Sequence, residues 1–364
     1  MENNINKTGR TEKNQKKNTV DEVLNIFNKG WNKQVILYGP PGTSKTYSAT
    51  EIAARFLVSK EIGSEGNDNQ IYKMKEAISK DKCTDLTDHE ICEKYLEEKK
   101  EQYKVIQFHP SYSYEDFVRG IVVKTRDEDD KSLSMPLYEV ERKIIETFGE
   151  GATKDKPKVL VIDEINRAPL GSVLGELIYG LEYRGKAVST PYVYKKDNVE
   201  EPLKVSEYFY IIGTMNTADR SIGTMDYAVR RRFAFVPVYP CADVIENTWN
   251  DESVGSIAKK LFEDFMNKEK GIFAEEYLED AELDVNDIKI GHTYFLGNKK
   301  EYKSKDEESD YLKYRINYQI KPVYQEYVKD GLIKKTGLEQ FETLVKKAFE
   351  NYENTGENSN QSDS

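Results

Sequence analysis

Short apolar runs alternate with stretches of helical spacing through the first two thirds of the chain. The runs are QVILYG (34–39), YKVIQF (103–108), KVLVID (158–163), YFYIIG (208–213) and RFAFVPV (232–238). Four are continuous rather than alternating, the pattern of strands buried on both faces of a parallel sheet. After the first run, Ala49, Ile52, Ala53, Phe56 and Leu57 recur at helical spacing and predict one apolar stripe. Strand, loop and helix in repetition predict a three-layer α/β domain.

Other stretches interrupt that rhythm. Residues 59–102 are dense in charge and predict helical insertions with a solvated face. Residues 122–137 and 186–206 sit where hairpins could project, the second carrying the alternating AVSTPYVY. Beyond Pro240 strand signals stop, and 240–350 predict helices around a polar loop, NKKEYKSKDEESD. The ends, 1–20 and 351–364, have the composition of polar tails. The expected organisation is an α/β core over 21–239 followed by a helical domain over 240–350.

No apolar run approaches bilayer length and the N-terminus has no apolar signal segment, so the expected location is the cytoplasm, with no membrane partner. Cys83, Cys92 and Cys241 lie in no metal-ligand spacing and are expected as buried or idle thiols. The net charge of −11 disfavours a chain that coats nucleic acid with its whole surface, but leaves room for a basic patch or a pore.

The first run ends in YGPPGTSKTYSA. A phosphate loop wraps backbone N–H groups around a phosphate at a helix N-terminus, with a lysine and a hydroxyl completing the cradle. Here the loop follows a strand, and Lys45 and Thr46 open a helix, which is the context the motif needs. Gly39, Pro40, Pro41, Gly42, Thr43, Ser44, Lys45, Thr46 and Tyr47 are the expected nucleotide-binding stretch. Ser44 stands where the pattern has glycine, at a cost of about 1 kcal/mol if the backbone there is left-handed.

Three further pieces suit the same chemistry. VLVIDEINRA ends a buried strand in two acids, at the edge where open α/β sheets bind ligands. Asp163 would hold Mg2+ through its water shell, with Thr46 as the second oxygen, and Glu164 would polarise the attacking water. IIGTMNTADRS delivers Asn216 to the same edge to orient that water, followed by Asp219 and Arg220 in a polar turn, where Asn and Asp are common by themselves. MDYAVRRRFAF sets Arg230, Arg231 and Arg232 before a strand, where consecutive arginines suit an anion; an arginine finger from Arg230 or Arg231 to a neighbour's γ-phosphate would serve.

In order, GPPGTSKT, VIQFHPSYSYEDFVRGI, VLVIDEINRAPLGSVLGELIYGLEYR, IIGTMNTADRS, MDYAVRRRF and IGHTYFLG closely resemble the McrB-type AAA+ motor proteins, from about Val35 to Tyr327. The most specific matches are MNTADRS and FHPSYSYEDF. The resemblance implies an α/β AAA+ P-loop NTPase with an αβα core, strand order 5-1-4-3-2 and a C-terminal α-helical lid. It also implies GTP hydrolysis, hexameric rings, a McrC-like nuclease partner and DNA handled by the ring or the partner. Asn216 and Asp219 would fall in the family's nucleotide-sensing signature, and the inserts at 122–137 and 186–206 look like its pore-facing hairpins.

Departures from that pattern narrow the expectation. About twenty polar residues precede DEVLNIFNKGW, too few to form the N-terminal DNA-reading module of the best-known members. DNA targeting is then expected from a partner, from a larger system or from a trimmed domain. The N-K-x-D guanine signature is absent, so GTP is favoured over ATP by the resemblance alone. Two other classes stay open: a MoxR-like protein-remodelling ATPase, and a nucleotide-gated assembly platform with little turnover. His109 and His292 are expected to pack or hydrogen-bond locally, Trp31 to staple a helix to the core, and Arg167 to reach a neighbouring subunit or to pair within its own.

Overall fold

The five apolar runs become the five strands of one sheet in a computed structural model that describes residues 13–63, 67–78, 86–125, 136–219, 225–280, 282–302 and 304–359. In chain order the elements are α1 (Lys13–Asn28), β1 (Gln34–Gly39), α2 (Lys45–Ile62), α3 (Asn67–Ala77), α4 (Asp88–Glu98), β2 (Tyr103–Gln107), α5 (Tyr114–Phe117), β3 (Arg119–Thr125) and β4 (Pro136–Arg142). There follow α6 (Ile144–Gly149), β5 (Lys158–Asp163), α7 (Leu170–Leu174), α8 (Leu177–Glu182), β6 (Tyr194–Lys196), β7 (Val199–Glu201), β8 (Phe209–Asn216), α9 (Tyr227–Arg230) and β9 (Ala234–Pro237). The C-terminal part carries α10 (Glu252–Met266), α11 (Lys305–Arg315), α12 (Lys321–Lys329) and α13 (Lys335–Ser359).

The sheet order is β2-β5-β8-β1-β9, which is the expected 5-1-4-3-2 counted over the five core strands. Parallel register pairs Val35 with Ala234, Val105 with Val161, and Ile162 with Gly213. β1, β5 and β8 are buried almost throughout, as continuous apolar strands should be. β2 reads the same way in sequence, but it is an edge strand, and its Lys104 and Val105 are exposed. The stripe on α2 packs as its spacing predicts, with Ala49, Ile52, Ala53, Phe56 and Leu57 all buried. Phe27 closes this layer, its ring 5.3 Å from Phe56 and 5.0 Å from Tyr210. That leaves no stapling role for Trp31, which is 68% exposed beneath the Lys29 ammonium because Gly30, at positive φ, turns the chain outward.

The chain folds as two compact units. One spans 19–38 and 45–237; the other gathers the N-terminal residues up to Asn18 and the loop 39–44 with the chain from Val238 onward. The phosphate-loop residues therefore group with the C-terminal part, not with the core over 21–239 to which their position in sequence assigns them. Helix also extends past both expected tail boundaries, beginning at Lys13 and ending at Ser359, since no proline interrupts either segment. Cys83 and the ends 1–12 and 360–364 lie outside the described residues, as does the span 126–135 between β3 and β4; Cys92 and Cys241 are buried free thiols.

Two hairpins stand on the core unit. β3 and β4 pair antiparallel, and β6 and β7 pair around Asp197 and Asn198, both at positive φ as a two-residue hairpin turn requires. Arg119, 1% exposed, ties them together. Its guanidinium holds both Glu146 carboxylate oxygens at 2.6 and 2.8 Å and donates to Thr190 Oγ1 and to the carbonyls of Tyr192 and Glu201. In the other unit the helices enclose an aromatic core of Phe262, Phe265, Phe295, Tyr324 and Phe341. Among the described residues no helix is long and apolar enough to cross a membrane.

Candidate nucleotide-binding site

Within the core unit, the parallel register of β5 and β8 sets Asp163 beside Thr214 at the sheet's C-terminal edge. Thr214 Oγ1, buried, donates to Asp163 Oδ1 at 2.6 Å and accepts the Glu164 backbone N–H at 3.0 Å. Thr46, in the first turn of α2, donates to the same Asp163 oxygen at 2.7 Å. Glu164 adopts φ 53 and ψ 46, a left-handed conformation that costs a residue with a Cβ about 1–2 kcal/mol. Asn216 Nδ2 donates to Glu164 Oε1 at 2.5 Å, and Asn166 Nδ2 holds the Asn216 carbonyl at 3.1 Å. Glu164 Oε2 is buried and accepts no hydrogen bond among the described residues; the Arg167 Nε lies 3.4 Å away. Arg167 thus pairs within its own subunit.

Charge in this edge is tuned by burial. Burial raises the Glu164 carboxyl above the usual range and Asp163 adds to the effect, against the pull of Arg167 and Lys45. Lys45 is buried, and burial brings its ammonium down to about 8 although Glu164 and Asp163 favour the charged form. Thr46 and Asp163 offer adjacent hydroxyl and carboxylate oxygens, the hard donors that Mg2+ accepts alongside retained waters. Among the described residues no group of three His, Cys, Asp or Glu side chains could hold a metal unaided.

The loop 39–44 is built differently. Thr43 is buried and its Oγ1 donates to the Pro40 carbonyl at 3.0 Å. Ser44 has φ 64, so the serine does carry the left-handed cost that a glycine would avoid. Its Oγ lies 2.9 Å from His292 Nε2. The Gly291 and Thr293 amides donate to the carbonyls of Pro41 at 2.8 Å and Gly42 at 3.0 Å. A Cβ at Gly291 would fall 1.8 Å from the Gly42 oxygen, so this approach admits glycine alone.

The remaining expected residues are dispersed. Tyr47 turns away to stack on His89 of α4, ring centroids 3.5 Å apart. Asp219 is half-buried beyond β8, and Arg220 lies outside the described residues. Arg230 and Arg231 are exposed, the first over the Phe235 ring; Arg232 is only 14% exposed and donates to the Ala228 carbonyl. Glu182 binds Arg232 and reaches Arg231 at 3.2 Å, beside an open cleft of about 820 Å3 that also exposes Trp31 and Lys186. Sequence reasoning passed over Thr214, Asn166 and Glu182. Only Thr214 carried a signal: two residues before Asn216 on a strand, it faces the same side.

Residues 89–233 match the model of the AAA domain (dynein-related subfamily). The chain is 30% identical over 305 residues to the type IV methyl-directed restriction enzyme EcoKMcrB subunit of Escherichia coli K12, an alignment covering 82% of this chain and 54% of that protein. It is 31% identical over 87 residues, 21% of this chain and 25% of the other, to the type II restriction enzyme BsuMI component YdiS of Bacillus subtilis 168. The chain thus spans about half the length of the first relative and a quarter of the second. With its five-stranded parallel sheet, phosphate-loop motif and acid edge, the chain is similar to the McrB subunit over 82% of its own length and matches an AAA domain over residues 89–233.

Proposed function

We propose that this chain is a Mg2+-dependent nucleoside-triphosphatase, favouring GTP over ATP. It assembles into a ring, with a hexamer expected, and drives DNA toward a McrC-like nuclease in a type IV restriction system. The observation that carries the reading is the acid edge: Thr46, the closing hydroxyl of the phosphate-loop motif, forms one hydrogen-bonded group with Asp163, Thr214, Glu164 and Asn216. The likeness to a restriction-enzyme subunit supports the choice of system, and the nuclease partner follows from the same likeness.

The roles follow from the chemistry of each group. Backbone amides of residues 39–44 and the Lys45 ammonium bind the phosphates. Thr46 and Asp163 hold Mg2+, which when bound neutralises phosphate charge. Glu164 Oε2 accepts a proton from water as the water oxygen attacks the γ-phosphorus and the bond to the β–γ bridging oxygen breaks, leaving nucleoside diphosphate and phosphate. Asn216 fixes the carboxylate's orientation, and the raised proton affinity of Glu164 suits a base. Arg231, exposed and at the rim of its cleft, serves a neighbouring protomer's triphosphate.

One assay tests the reading. Phosphate release from GTP and from ATP is measured with and without DNA, for the wild type, Arg231→Ala, Lys45→Ala and their mixture. Expected are faster turnover with DNA, a loss of about 10³-fold in Arg231→Ala with nucleotide binding retained, and partial recovery in the mixture. Turnover indifferent to DNA but stimulated by unfolded polypeptide favours the protein-remodelling class. No recovery in the mixture overturns the arginine supplied in trans.

A further inference from the structure

We infer that Ser44 and His292 act as a positioning pair, through which the segment Gly291–Phe295 sets the phosphate loop's conformation and so its nucleotide affinity. The inference rests on the reading that residues 39–46 hold the triphosphate, and it gives the departure from the glycine pattern a purpose beyond tolerance.

Ser44 sits at φ 64, where glycine would rest without strain, and its hydroxyl meets the buried ring of His292 at 2.9 Å. The ring is fixed from both sides. The Cys241 backbone N–H donates a hydrogen bond to its Nδ1 at 3.1 Å, so Nδ1 carries no proton of its own. The imidazole is therefore neutral with its proton on Nε2, and Nε2–H donates to Ser44 Oγ. The bond has one direction, and it depends on a backbone amide of the C-terminal unit.

The pair is the last of three consecutive links. Gly291 N–H holds the Pro41 carbonyl, Thr293 N–H holds the Gly42 carbonyl, and His292 between them holds Ser44. The holding segment is itself anchored, since Arg315 donates to the Thr293 and Tyr294 carbonyls at 2.7 and 2.8 Å. Loop carbonyls locked in this way fix where the loop's amides point, which is the preorganisation that raises affinity for a phosphate without adding a contact to it.

The test is a double-mutant cycle on the affinity of a fluorescent GTP analogue, with melting temperature and turnover followed in parallel. Ser44→Ala removes the acceptor and keeps the strain. His292→Asn keeps an acceptor for Cys241 but is too short for Ser44, whereas His292→Gln carries an N–H donor near the Nε2 position. Ser44→Ala and His292→Asn are each expected to weaken binding about tenfold, their combination to weaken it no further, and His292→Gln to stay within about threefold. Turnover at saturating nucleotide should hold within about twofold in His292→Asn, because His292 does not touch the reacting atoms. In a Ser44→Gly background, His292→Asn should leave affinity unchanged. Losses that multiply in the double variant, or a full effect of His292→Asn on the glycine background, overturn the coupling. A wild-type protein that binds no triphosphate overturns the phosphate-loop reading itself, a result distinct from either.

Discussion

Glu164 and Ser44 are both left-handed residues with a Cβ, yet the molecule holds them over different distances. Glu164 is held by the next strand and its own turn: Asn216 and Thr214 stand 52 and 50 positions away, Arg167 only three. Ser44 is held by His292, 248 positions along the chain. The acid edge is thus self-contained, since the register that pairs β5 with β8 also supplies the bonds that offset its strain. The loop borrows its geometry from a distant segment of its own unit. Substitutions at the edge should accordingly strike turnover, while substitutions at the loop should strike affinity.

The largest effect expected at the edge comes from Glu164→Gln. The amide keeps the size and can still bond Asn216, but it cannot take a proton from water. Turnover should fall about 10²–10⁴-fold with affinity nearly unchanged. Single-turnover phosphate release and equilibrium binding measure the two separately, and equal release from both proteins would remove this carboxylate from the chemistry.

Thr214→Val sharpens the comparison at intermediate size. Valine keeps the volume, so no cavity opens, but Asp163 loses a donor and the Glu164 N–H loses its acceptor inside the protein. A buried unsatisfied group costs about 1–3 kcal/mol, so turnover should drop roughly tenfold or more and the melting temperature should fall. Thr214→Ser, which retains the hydroxyl, should restore both. If valine left turnover intact, the edge would not depend on the strand register as the contrast requires.

The same contrast explains what could be read in advance. The five strands were legible because each is a local run of apolar residues, and their order came with the family resemblance. The gathering of Thr46, Asp163, Glu164 and Asn216 was legible too, because each ends or follows a strand and parallel strands bring such ends together. Glu182 and the His292 bond were not, since a charge on one short helix and a ring far along the chain carry no sequence mark of their partners. Arg119 was passed over for a similar reason: within FVRGIVV it looks like a surface charge, and only the fold buries it between two hairpins. β2 misled in the opposite sense, as an edge strand and a central one share the same apolar pattern.

The smallest effect concerns Lys45, the residue that joins the motif to the acid edge. Burial brings its ammonium down to about 8, despite the favourable charges of Glu164 and Asp163. A bound triphosphate adds negative charge and raises that value, so nucleotide binding and proton binding favour each other. Below pH 8 the lysine is charged in both the free and the bound protein, and it contributes no pH dependence. Above pH 8 the free protein loses the proton while the complex keeps it, so affinity should decline, by at most about tenfold per pH unit, until the bound form also titrates. Binding isotherms from pH 7 to about 9.5 should show a flat limb and then a decline, and calorimetry at pH 8.5 in buffers of different ionisation heat should report proton uptake. Lys45→Arg, whose guanidinium stays charged over this range, should bind more weakly but without the decline. A flat profile for the wild type would mean that the nucleotide does not reach the lysine beside the acids, and the triphosphatase reading of this edge would then fall.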